Sequence, residues 1–513
     1  MERSSPIKFL FTALVLAFIV LFFWKTPFIT QDGYNHQRAA SILSRLSESP
    51  SESALYGENL NLHQTNELFY ALYPFVKNHL SVDQYEKAFL VLSMILLVLG
   101  YQAFLKTWAP ENASLWFFAL PLVFHLLFAR GMYNFLISVP LSLFALSLLK
   151  VEKIPIYGRI PLYGVLVWIG FLAHPFSVIV LSLVGGVALI EGVLQKESKR
   201  CGNWAFFLIP ALFLALGFLL PFFQPSSQPG PSYVFDPWPS LLYKFFVFNF
   251  PIYQKWNVLL FLPYLLWAIV AMARSLRHKQ PLDRRLWVLF LLGYLFFPKS
   301  GGEGNHLNER FLIYVFLFLP LGLHLNAAQK WRLGFLTGFT FLALAAYVHQ
   351  GMALAQQKGE ETRAVLEPLP PNQRLYPVNF DPNGPALNFK NTLHFWAMNP
   401  EKTVFSPYLF AFDRMTPLYR KKGVSALFPA TSDDFPYRLV KGELCGKKDP
   451  VETIRCAEIR EEGFKRILEN ASHYDYWLLE SPPPDFVGMI QSGLSASLVA
   501  QKGTTSLWKA RSH

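Results

Sequence analysis

Long apolar runs separated by short polar segments fill the first two thirds of the 513-residue chain. Most runs approach the roughly 20 residues that an α-helix needs to cross the hydrocarbon core of a bilayer. The first run follows the basic residues Arg3 and Lys8 and ends in bulky residues without a small-residue cleavage site, so we expect an uncleaved anchor. The pattern predicts eleven spanning helices, at residues 9–24, 87–105, 113–129, 133–149, 160–174, 176–194, 204–223, 257–273, 286–298, 311–327 and 332–348.

Lys and Arg residues are distributed unevenly between the two sets of loops that these helices create. Sixteen lie on the side of the N-terminus and nine on the opposite side, which also holds the long first loop. Because cytoplasmic segments are rich in Lys and Arg, we expect the N-terminus in the cytoplasm. After an odd number of crossings, the C-terminal part then lies in the extracytoplasmic space.

The last third of the chain is polar and rich in proline, and extended runs alternate there with helical patterns. This alternation is typical of an α/β fold. We therefore predict a mainly α, polytopic membrane domain over residues 1–348, with its first extracytoplasmic loop at 25–86, and a small extracytoplasmic α/β domain over 349–513. Strand-like runs lie at 374–380, 474–479, 498–500 and 506–510, helical patterns at 450–471 and 485–491, and two further helices of the first loop at 32–47 and 64–79.

Composition supports a membrane protein and changes the interpretation of the net charge. Hydrophobic residues make up 52% of the chain and charged residues only 16%, against roughly 25% in soluble domains. A net charge of +12 would indicate nucleic-acid binding in a soluble protein, but here the bases lie in short loops between apolar runs. We therefore expect membrane lipid as a partner and no nucleic acid.

The three cysteines show no metal-binding spacing. Cys445 and Cys456 lie near each other in the part that is expected outside the cytoplasm, where a disulfide can form and persist. Two free thiols are the alternative, and the sequence leaves both open.

A short polar stretch, residues 31–38, follows the first apolar run. Asp32 and His36 are four residues apart in it, which places both side chains on one face of a helix. The predicted orientation puts further polar residues on the same side of the membrane. They are Arg130 and Asn134 in a tight turn, His174 between two spans, Lys244 and Lys255 in a proline-rich loop, and Lys299, Glu303, His306, Glu309 and Arg310 before the tenth span.

Ionisable groups at membrane depth are costly and tend to mark functional cavities. Cations can hold a phosphate through charge-assisted hydrogen bonds, and a carboxylate can accept a proton from an incoming hydroxyl group. Each residue also has a structural explanation. These are helix capping for Asp32, a surface position for His36, headgroup anchoring for Arg130, a helix end for His174, pairing with Glu309 or lipid for Arg310, and solvation for Glu303 and His306.

Seven short motifs in chain order carry a family resemblance. They are Asp32-Gly-Tyr-Asn-His36, Tyr133-Asn-Phe-Leu-Ile-Ser-Val-Pro-Leu-Ser-Leu143, Leu172-Ala-His-Pro175, Glu309-Arg-Phe-Leu312, Leu393-His-Phe-Trp396, Tyr474-Asp-Tyr-Trp-Leu478 and Ser506-Leu-Trp-Lys509. Together with the first loop and the C-terminal domain, they resemble bacterial GT-C-like membrane proteins. The GT-C superfamily comprises integral-membrane glycosyltransferases that use polyprenyl-phosphate-linked sugars.

The resemblance implies transfer of a sugar from a polyprenyl-phosphate donor to a glycan, lipid or protein acceptor of the cell envelope, at the outer face of the bacterial inner membrane. It implies that Asp32 is the general base, with His36 beside it. The expected donor-phosphate ligands are Arg310, Lys299, Arg130 and His174, and the expected acceptor or cavity residues are Asn134, Glu309, His306 and His394.

Many relatives have a second acidic residue near the first, and this chain has His36 there instead. Asp32 and His36 alone are too few ligands for a divalent ion such as Mg²⁺ or Mn²⁺, and the sequence gives no reason to choose Glu67 or Asp83 as a third. The sequence therefore leaves open whether a metal ion is bound, and no other cofactor is expected. Two other functions are also open: a transporter or flippase of a lipid-linked saccharide, and a non-catalytic envelope scaffold.

Overall fold

The structure is a computed structural model, and the chain in it is mainly helical. It describes residues 6–25, 30, 33–58, 65–151, 153–194, 204–222, 233–247, 258–277, 282–300, 306–370, 373–380, 403–405, 418–420, 458, 461–469, 473–493 and 495–510.

The described chain forms 17 helices and seven strands, which we number in chain order. They are α1 (Pro6–Lys25), α2 (Gly33–Arg45), α3 (Pro50–Leu55), β1 (Tyr56–Glu58), α4 (Leu68–Val76), α5 (Val82–Trp108), α6 (Leu126–Ala129), α7 (Tyr133–Lys150), α8 (Ile156–Ala173), α9 (Pro175–Leu194), α10 (Trp204–Phe222), α11 (Trp238–Val247), α12 (Val258–Arg277), α13 (Leu286–Phe296), α14 (Glu309–Phe318), α15 (Ala327–Leu366), β2 (Gln373–Asn379), β3 (Thr403–Phe405), β4 (Leu418–Arg420), α16 (461–469), β5 (Tyr476–Glu480), α17 (Pro484–Gly493), β6 (Ser497–Lys502) and β7 (Thr505–Lys509). Three 3₁₀ segments, Pro110–Val123, Leu282–Arg285 and Leu319–Gly322, complete the set.

Two compact units divide the chain. The first contains Met1–Lys25, Asn61–Ala71 and Glu86–Val348, and the second contains Thr26–Leu60, Leu72–Tyr85 and His349–His513.

Apolar helices of membrane-spanning length lie in the described part of the chain. Four are long and apolar enough to cross a bilayer: Val82–Trp108, Tyr133–Lys150, Ile156–Ala173 and Ala327–Ala353. Four apolar helices are shorter in the described residues: Leu10–Lys25, Pro175–Glu191, Trp204–Ala215 and Leu286–Phe296. These helices are those of a membrane protein, and the count of eleven spans stays a prediction.

Two of the predicted spans are not single α-helices. The predicted helix at 113–129 is the 3₁₀ segment Pro110–Val123 followed by the four-residue helix α6. The predicted helix at 311–327 ends as an α-helix at Phe318 and continues as a 3₁₀ turn that contains Pro320. Proline has no N–H to donate and cannot continue the α-helical hydrogen bonding. Asn112 donates from Nδ2 to the carbonyls of Pro320 (2.8 Å) and Leu323 (2.7 Å), which fixes this non-helical backbone.

Helices α13 and α14 approach each other closely at Gly293. A Cβ atom at this position would lie 2.5 Å from Cδ1 of Phe311, which is buried. Phe311 also contacts Phe176 of α9, with ring centroids 4.7 Å apart. The missing side chain of Gly293 therefore makes room for an aromatic contact that joins three helices.

A five-stranded mixed sheet, in the order β3-β2-β5-β7-β6, lies in the second unit. Strands β2 and β5 are parallel, and β5, β7 and β6 are antiparallel neighbours. Leu375, Leu478 and Leu507 from three neighbouring strands form its buried core with Val365 and Leu366 of α15. Four of the strands coincide with the four strand-like runs of the sequence. The same unit pairs β1 with β4, so that residues of the first loop join a strand far along the chain.

Helices α2 and α3 are held together by a buried carboxylate. Glu52 accepts hydrogen bonds from Nη2 of Arg38 (3.0 Å) and Nη2 of Arg45 (2.7 Å). The Arg38 and Glu52 side chains are each 3% exposed, so removal of Glu52 would leave the buried charge of Arg38 without this ion pair. This ion cluster fixes the helix that carries His36.

Candidate functional site

Two distant loops pair in the first unit and bring the polar residues of that unit together. Val234 and Ser300 form an antiparallel bridge, and the N–H of Lys299 donates to the carbonyl of Val234 at 2.7 Å. The N–H of Leu307 in turn donates to the carbonyl of Lys299 at 2.9 Å. This pairing places the segment before α11 beside the segment before α14.

The Lys244 ammonium lies between two carboxylates. Its Nζ is 2.5 Å from Oδ2 of Asp236 and 2.5 Å from Oε1 of Glu309. Asp236 also accepts hydrogen bonds from Nδ2 of Asn308 (2.9 Å) and Oγ of Ser240 (3.1 Å). The Glu309 side chain is fully buried and that of Asp236 is 3% exposed, so the charge of Lys244 is neutralised inside the protein.

His306 links this ion cluster to Arg130. Its Nδ1 is 3.0 Å from Oε2 of Glu309, and its Nε2 faces Nη1 of Arg130 in a short contact. Five ionisable groups thus follow one another in the order Asp236, Lys244, Glu309, His306 and Arg130. We call these five residues the charge chain.

The turn that carries Arg130 is built by a glycine. The N–H of Met132 donates to the carbonyl of Leu127 (3.1 Å) and the N–H of Gly131 to that of Phe128 (2.9 Å). Gly131 has φ +76°, in the left-handed region. This is a Schellman motif, which ends α6 with Arg130 as its C-cap and favours glycine at position 131.

Arg310 and His174 both contact one aromatic ring, that of Phe135. The Arg310 guanidinium lies 5.7 Å from the centroid of Phe135, and its Nη2 donates to Sδ of Met132 at 3.9 Å. The imidazole of His174 packs edge-on against the same ring, with centroids 5.4 Å apart. The structure therefore places two of the expected phosphate ligands near the Arg130 turn.

His174 also has a structural role. Its Nδ1 accepts a hydrogen bond of 3.1 Å from the N–H of Phe176, and this caps α9, which begins at Pro175. Because Nδ1 accepts, the proton of the neutral imidazole is on Nε2.

Asn134, an expected cavity residue, is used for backbone support. Its Oδ1 accepts from the N–H of Phe69 (2.8 Å) and its Nδ2 donates to the carbonyl of Asn66 (2.6 Å). The same segment is tied to α8, because the N–H of Glu67 donates to the carbonyl of Leu172 at 2.9 Å. Asn134 is buried, and both ends of its amide are engaged.

Burial and neighbouring charges set the protonation of the loop residues. Burial lowers the pKa of His306 below its usual value, and this outweighs the opposite effect of Glu309. Burial would raise the pKa of Asp236, but hydrogen bonds from Lys244 and Asn308 hold that pKa below its usual range. At neutral pH, His306 is therefore neutral and Asp236 is ionised.

Several expected site residues are not among these contacts. Asp32, His394, Cys445 and Cys456 lie outside the described residues. His36 lies in α2, half-buried, in the second unit. Lys299 is held by its backbone beside the charge chain and is half-buried. Across the described ranges, no three His, Cys, Asp or Glu residues form a group that could hold a metal ion.

Sequence reasoning missed Asp236 and Asn308, and it assigned Lys244 no partner. Asp236 precedes an amphipathic helix in a loop that is mostly apolar, and Lys244 follows it by two helical turns. Opposite charges at this spacing, in an apolar loop, are a signal that could have predicted their pairing. The contact of Lys244 with Glu309 depends on the loop pairing, which the sequence does not reveal.

Comparison with known proteins gives a likeness in structure. No family model and no curated protein matches the sequence. A crystal structure of ArnT from Cupriavidus metallidurans bound to undecaprenyl phosphate is similar, with a TM-score of 0.53 and 11% identity over 99% of this chain and 98% of that one. The apo structure of the same protein gives a TM-score of 0.53 and 12% identity over 98% of each chain. ArnT is a GT-C glycosyltransferase.

The fold of this chain is similar to that of the two ArnT structures, as the resemblance to GT-C-like membrane proteins predicts. Because the likeness extends over nearly the whole chain, this GT-C-like fold includes both the apolar helices and the C-terminal part. At 11% identity the likeness concerns the fold, and activity has to be argued from the residues of this chain.

Proposed function

We propose that this protein is a glycosyltransferase that moves a sugar from a polyprenyl-phosphate donor to a cell-envelope acceptor. The reaction takes place at the extracytoplasmic face of the bacterial inner membrane. In this proposal the chain crosses the membrane eleven times, with its N-terminus in the cytoplasm and its C-terminal α/β domain outside. The GT-C-like fold, shared over 99% of the chain with a protein crystallised with undecaprenyl phosphate, supports this proposal.

The observation that carries the proposal is that Arg310 contacts Met132, two residues after Arg130, and shares the ring of Phe135 with His174. Two guanidinium groups beside a buried, largely apolar wall suit the phosphate of a lipid carrier, because charge-assisted hydrogen bonds to phosphate are strong where water is excluded. In sugar transfer, the bond between the anomeric carbon and the phosphate oxygen breaks, and negative charge grows on that oxygen. The two arginines stabilise this charge.

Asp32 acts as the general base that takes the proton of the acceptor hydroxyl as its oxygen attacks the anomeric carbon. This role rests on the position of Asp32 after the first apolar run and on the resemblance of Asp32-Gly-Tyr to GT-C sequences. The described residues offer no group of three ligands for a metal ion.

Replacement of the base tests the reaction. We expect Asp32→Asn to reduce sugar transfer by at least about 100-fold, the low end of the usual contribution of a general base. The measurement compares envelope lipids and glycans by mass spectrometry in cells with wild-type protein, Asp32→Asn, or no protein. Equal amounts of the two proteins in the membrane, shown by immunoblot, control for folding. Unchanged transfer by Asp32→Asn would exclude this role.

Binding of the carrier lipid tests the phosphate site separately. We expect purified protein in nanodiscs to bind undecaprenyl phosphate more tightly than the uncharged undecaprenol. Arg310→Gln should remove most of this difference, whereas Arg284→Gln, at a surface ion pair with Glu111, should keep it. Equal affinity of the wild-type protein for both lipids would contradict a phosphate site.

A further inference from the structure

Arg130 is the terminal residue of the charge chain, and its partner is a histidine rather than a carboxylate. The contact joins Nη1 of Arg130 to Nε2 of His306. An arginine side chain has five N–H donors and no acceptor, and it stays protonated in proteins. The Nε2 atom of His306 must therefore be the acceptor, which requires a neutral imidazole with its proton on Nδ1.

The other side of the imidazole matches this protonation state. Nδ1 of His306 is 3.0 Å from Oε2 of Glu309, so the Nδ1–H group faces a carboxylate. The other oxygen of Glu309, Oε1, is 2.5 Å from the Lys244 ammonium, which also contacts Asp236. The charged groups that face His306 are thus Glu309, Arg130 and Lys244, and the burial of the ring favours the neutral form.

The balance of charges in the charge chain indicates different roles for Lys244 and Arg130. Asp236 and Glu309 carry two negative charges, and Lys244 and Arg130 carry two positive charges. Lys244 is only 12% exposed and lies between both carboxylates, so its ammonium is not available to a ligand. Arg130 contacts the neutral ring of His306, and its charge is separated from Glu309 by that ring.

One edge of the Arg130 guanidinium carries a donor without a hydrogen-bond partner among the described residues. His306 engages Nη1, and Nε of Arg130 is buried without a hydrogen-bond partner among the described residues. The Nε–H and the neighbouring Nη2–H groups point the same way and form the fork that binds two oxygens of one phosphate. A buried donor without a partner is destabilising, and a phosphate oxygen would supply the missing acceptor.

We propose that His306 and Glu309 are positioning residues that hold Arg130 with its Nε–Nη2 edge toward the phosphate of the carrier lipid. This inference rests on the proposed function and names the residues that build its phosphate site. Glu309 fixes the imidazole, and the imidazole fixes the rotation of the guanidinium. Neither residue touches the ligand.

A double-mutant cycle on lipid affinity tests the proposal. The probes are undecaprenyl phosphate and undecaprenol, bound to the full-length protein in nanodiscs. We expect His306→Leu to weaken binding of undecaprenyl phosphate about tenfold, in line with one charged hydrogen bond, and to leave binding of undecaprenol unchanged. His306→Gln, whose amide has both a donor and an acceptor, should retain most of the affinity. In an Arg130→Gln background, His306→Leu should have no further effect.

The outcomes separate this inference from the proposed function. If wild-type protein does not prefer undecaprenyl phosphate to undecaprenol, the proposed function fails and the assignment of the Arg130 edge fails with it. If wild-type protein prefers it and Arg130→Gln weakens binding, but His306→Leu does not or adds independently to Arg130→Gln, the positioning role alone is wrong.

A spectroscopic measurement on the wild-type protein does not depend on the stability of the variants. Nitrogen-15 NMR of histidine-labelled protein, with the His306 signals identified by their loss in His306→Gln, reports which ring nitrogen is protonated. We expect a protonated Nδ1 and a bare Nε2 at neutral pH. An imidazolium, or a proton on Nε2, would overturn the proposal.

Discussion

Single side chains of the charge chain show how buried ionisable groups are tolerated beside an apolar core. Glu309 is completely buried, yet it contacts both Lys244 and His306. A buried carboxylate without such partners would cost several kcal/mol. Its partners therefore make it possible for a carboxylate to lie at the start of the apolar helix α14.

The backbone conformation of Gly131 determines where the turn places the charge of Arg130. Its φ of +76° is unfavourable for residues with a Cβ. We expect Gly131→Ala to destabilise the protein by about 1 kcal/mol, measured as a lower midpoint of thermal unfolding in detergent, and to weaken binding of undecaprenyl phosphate because Arg130 moves. Gly131→Asn, which tolerates the left-handed region better, is the matched control and should lose less. Equal stability of the glycine and alanine proteins would contradict a Schellman turn.

The sequence identified the candidate polar residues but could not predict how they pair. Their common side of the membrane stays a prediction. Arg130, His306 and Glu309 were all candidates, and the structure joins them in one chain of contacts. Asn134 and His174 were also candidates, and the structure shows that both support backbone. Whether a candidate joins the charge chain or supports the backbone depends on hydrogen bonds between residues that can be far apart in the sequence. The periodicity of the sequence does not predict such hydrogen bonds.

Close contacts between helices in the first unit depend on glycine positions, where a side chain is absent. Gly293→Ala would put a Cβ 2.5 Å from the buried ring of Phe311. We expect a loss of about 1–3 kcal/mol from overpacking, measured as a lower unfolding midpoint. Gly338→Ala in α15 is the control, because nothing lies within 4 Å of its added Cβ, and it should be neutral or slightly stabilising. A harmless Gly293→Ala would show that α13 and α14 are not in contact there.

In the second unit, an ion pair between Arg374 and Asp475 joins the start of β2 to the residue before β5. Asp475 accepts hydrogen bonds from the backbone N–H (3.0 Å), Nε (2.9 Å) and Nη2 (2.5 Å) of Arg374. Burial would raise the pKa of Asp475, but these bonds hold the pKa below its usual value. The stabilisation is therefore present at neutral pH and is lost as the pH falls through the lowered pKa.

Replacement of this carboxylate should have a modest effect, because both side chains are partly exposed. We expect Asp475→Asn to destabilise the sheet by about 0.5–1 kcal/mol, measured as a lower midpoint of chemical unfolding. Glu461→Gln removes the same charge from an exposed pair with Lys465 and should change the midpoint less. The difference between wild type and Asp475→Asn should vanish at low pH, and a constant difference would contradict the ionic contribution.

Elements were predictable where one local signal determines them. The strand-like runs coincide with β2, β5, β6 and β7, because alternating apolar residues and turn residues are local. The hydropathy of the apolar runs at 113–129 and 311–327 did not predict their 3₁₀ segments. Their hydropathy is that of a spanning helix, but Pro121 and Pro320 and the Asn112 amide stabilise 3₁₀ backbone instead.

At the scale of the whole molecule, the second unit is assembled from separate pieces of the chain. Residues 56–58 pair with residues 418–420, and residues 26–60 and 72–85 belong to the same unit as 349–513. Pairing across such a distance cannot be read from hydropathy, which describes each segment by itself. Likeness to ArnT at 11% identity shows that the fold persists where sequence motifs are short and degenerate.

The proposed topology predicts the location of both ends of the chain. We expect a C-terminal alkaline phosphatase fusion to be active and a C-terminal green fluorescent protein fusion to be dark, because the C-terminal part lies outside the cytoplasm. The reverse result is expected for fusions after residue 279, in a basic loop assigned to the cytoplasm. Active phosphatase at both positions would refute the orientation.

The charges of the charge chain balance one another inside the protein, and this affects how its ion pairs respond to dissolved salt. Exposed ion pairs such as Lys465 with Glu461 and Arg466 with Glu462 lose their attraction as dissolved salt screens them. Asp236, Lys244 and Glu309 are withdrawn from solvent, so mobile ions have little access to the contacts among them. The two chain segments that carry these residues should therefore stay paired from dilute to concentrated salt.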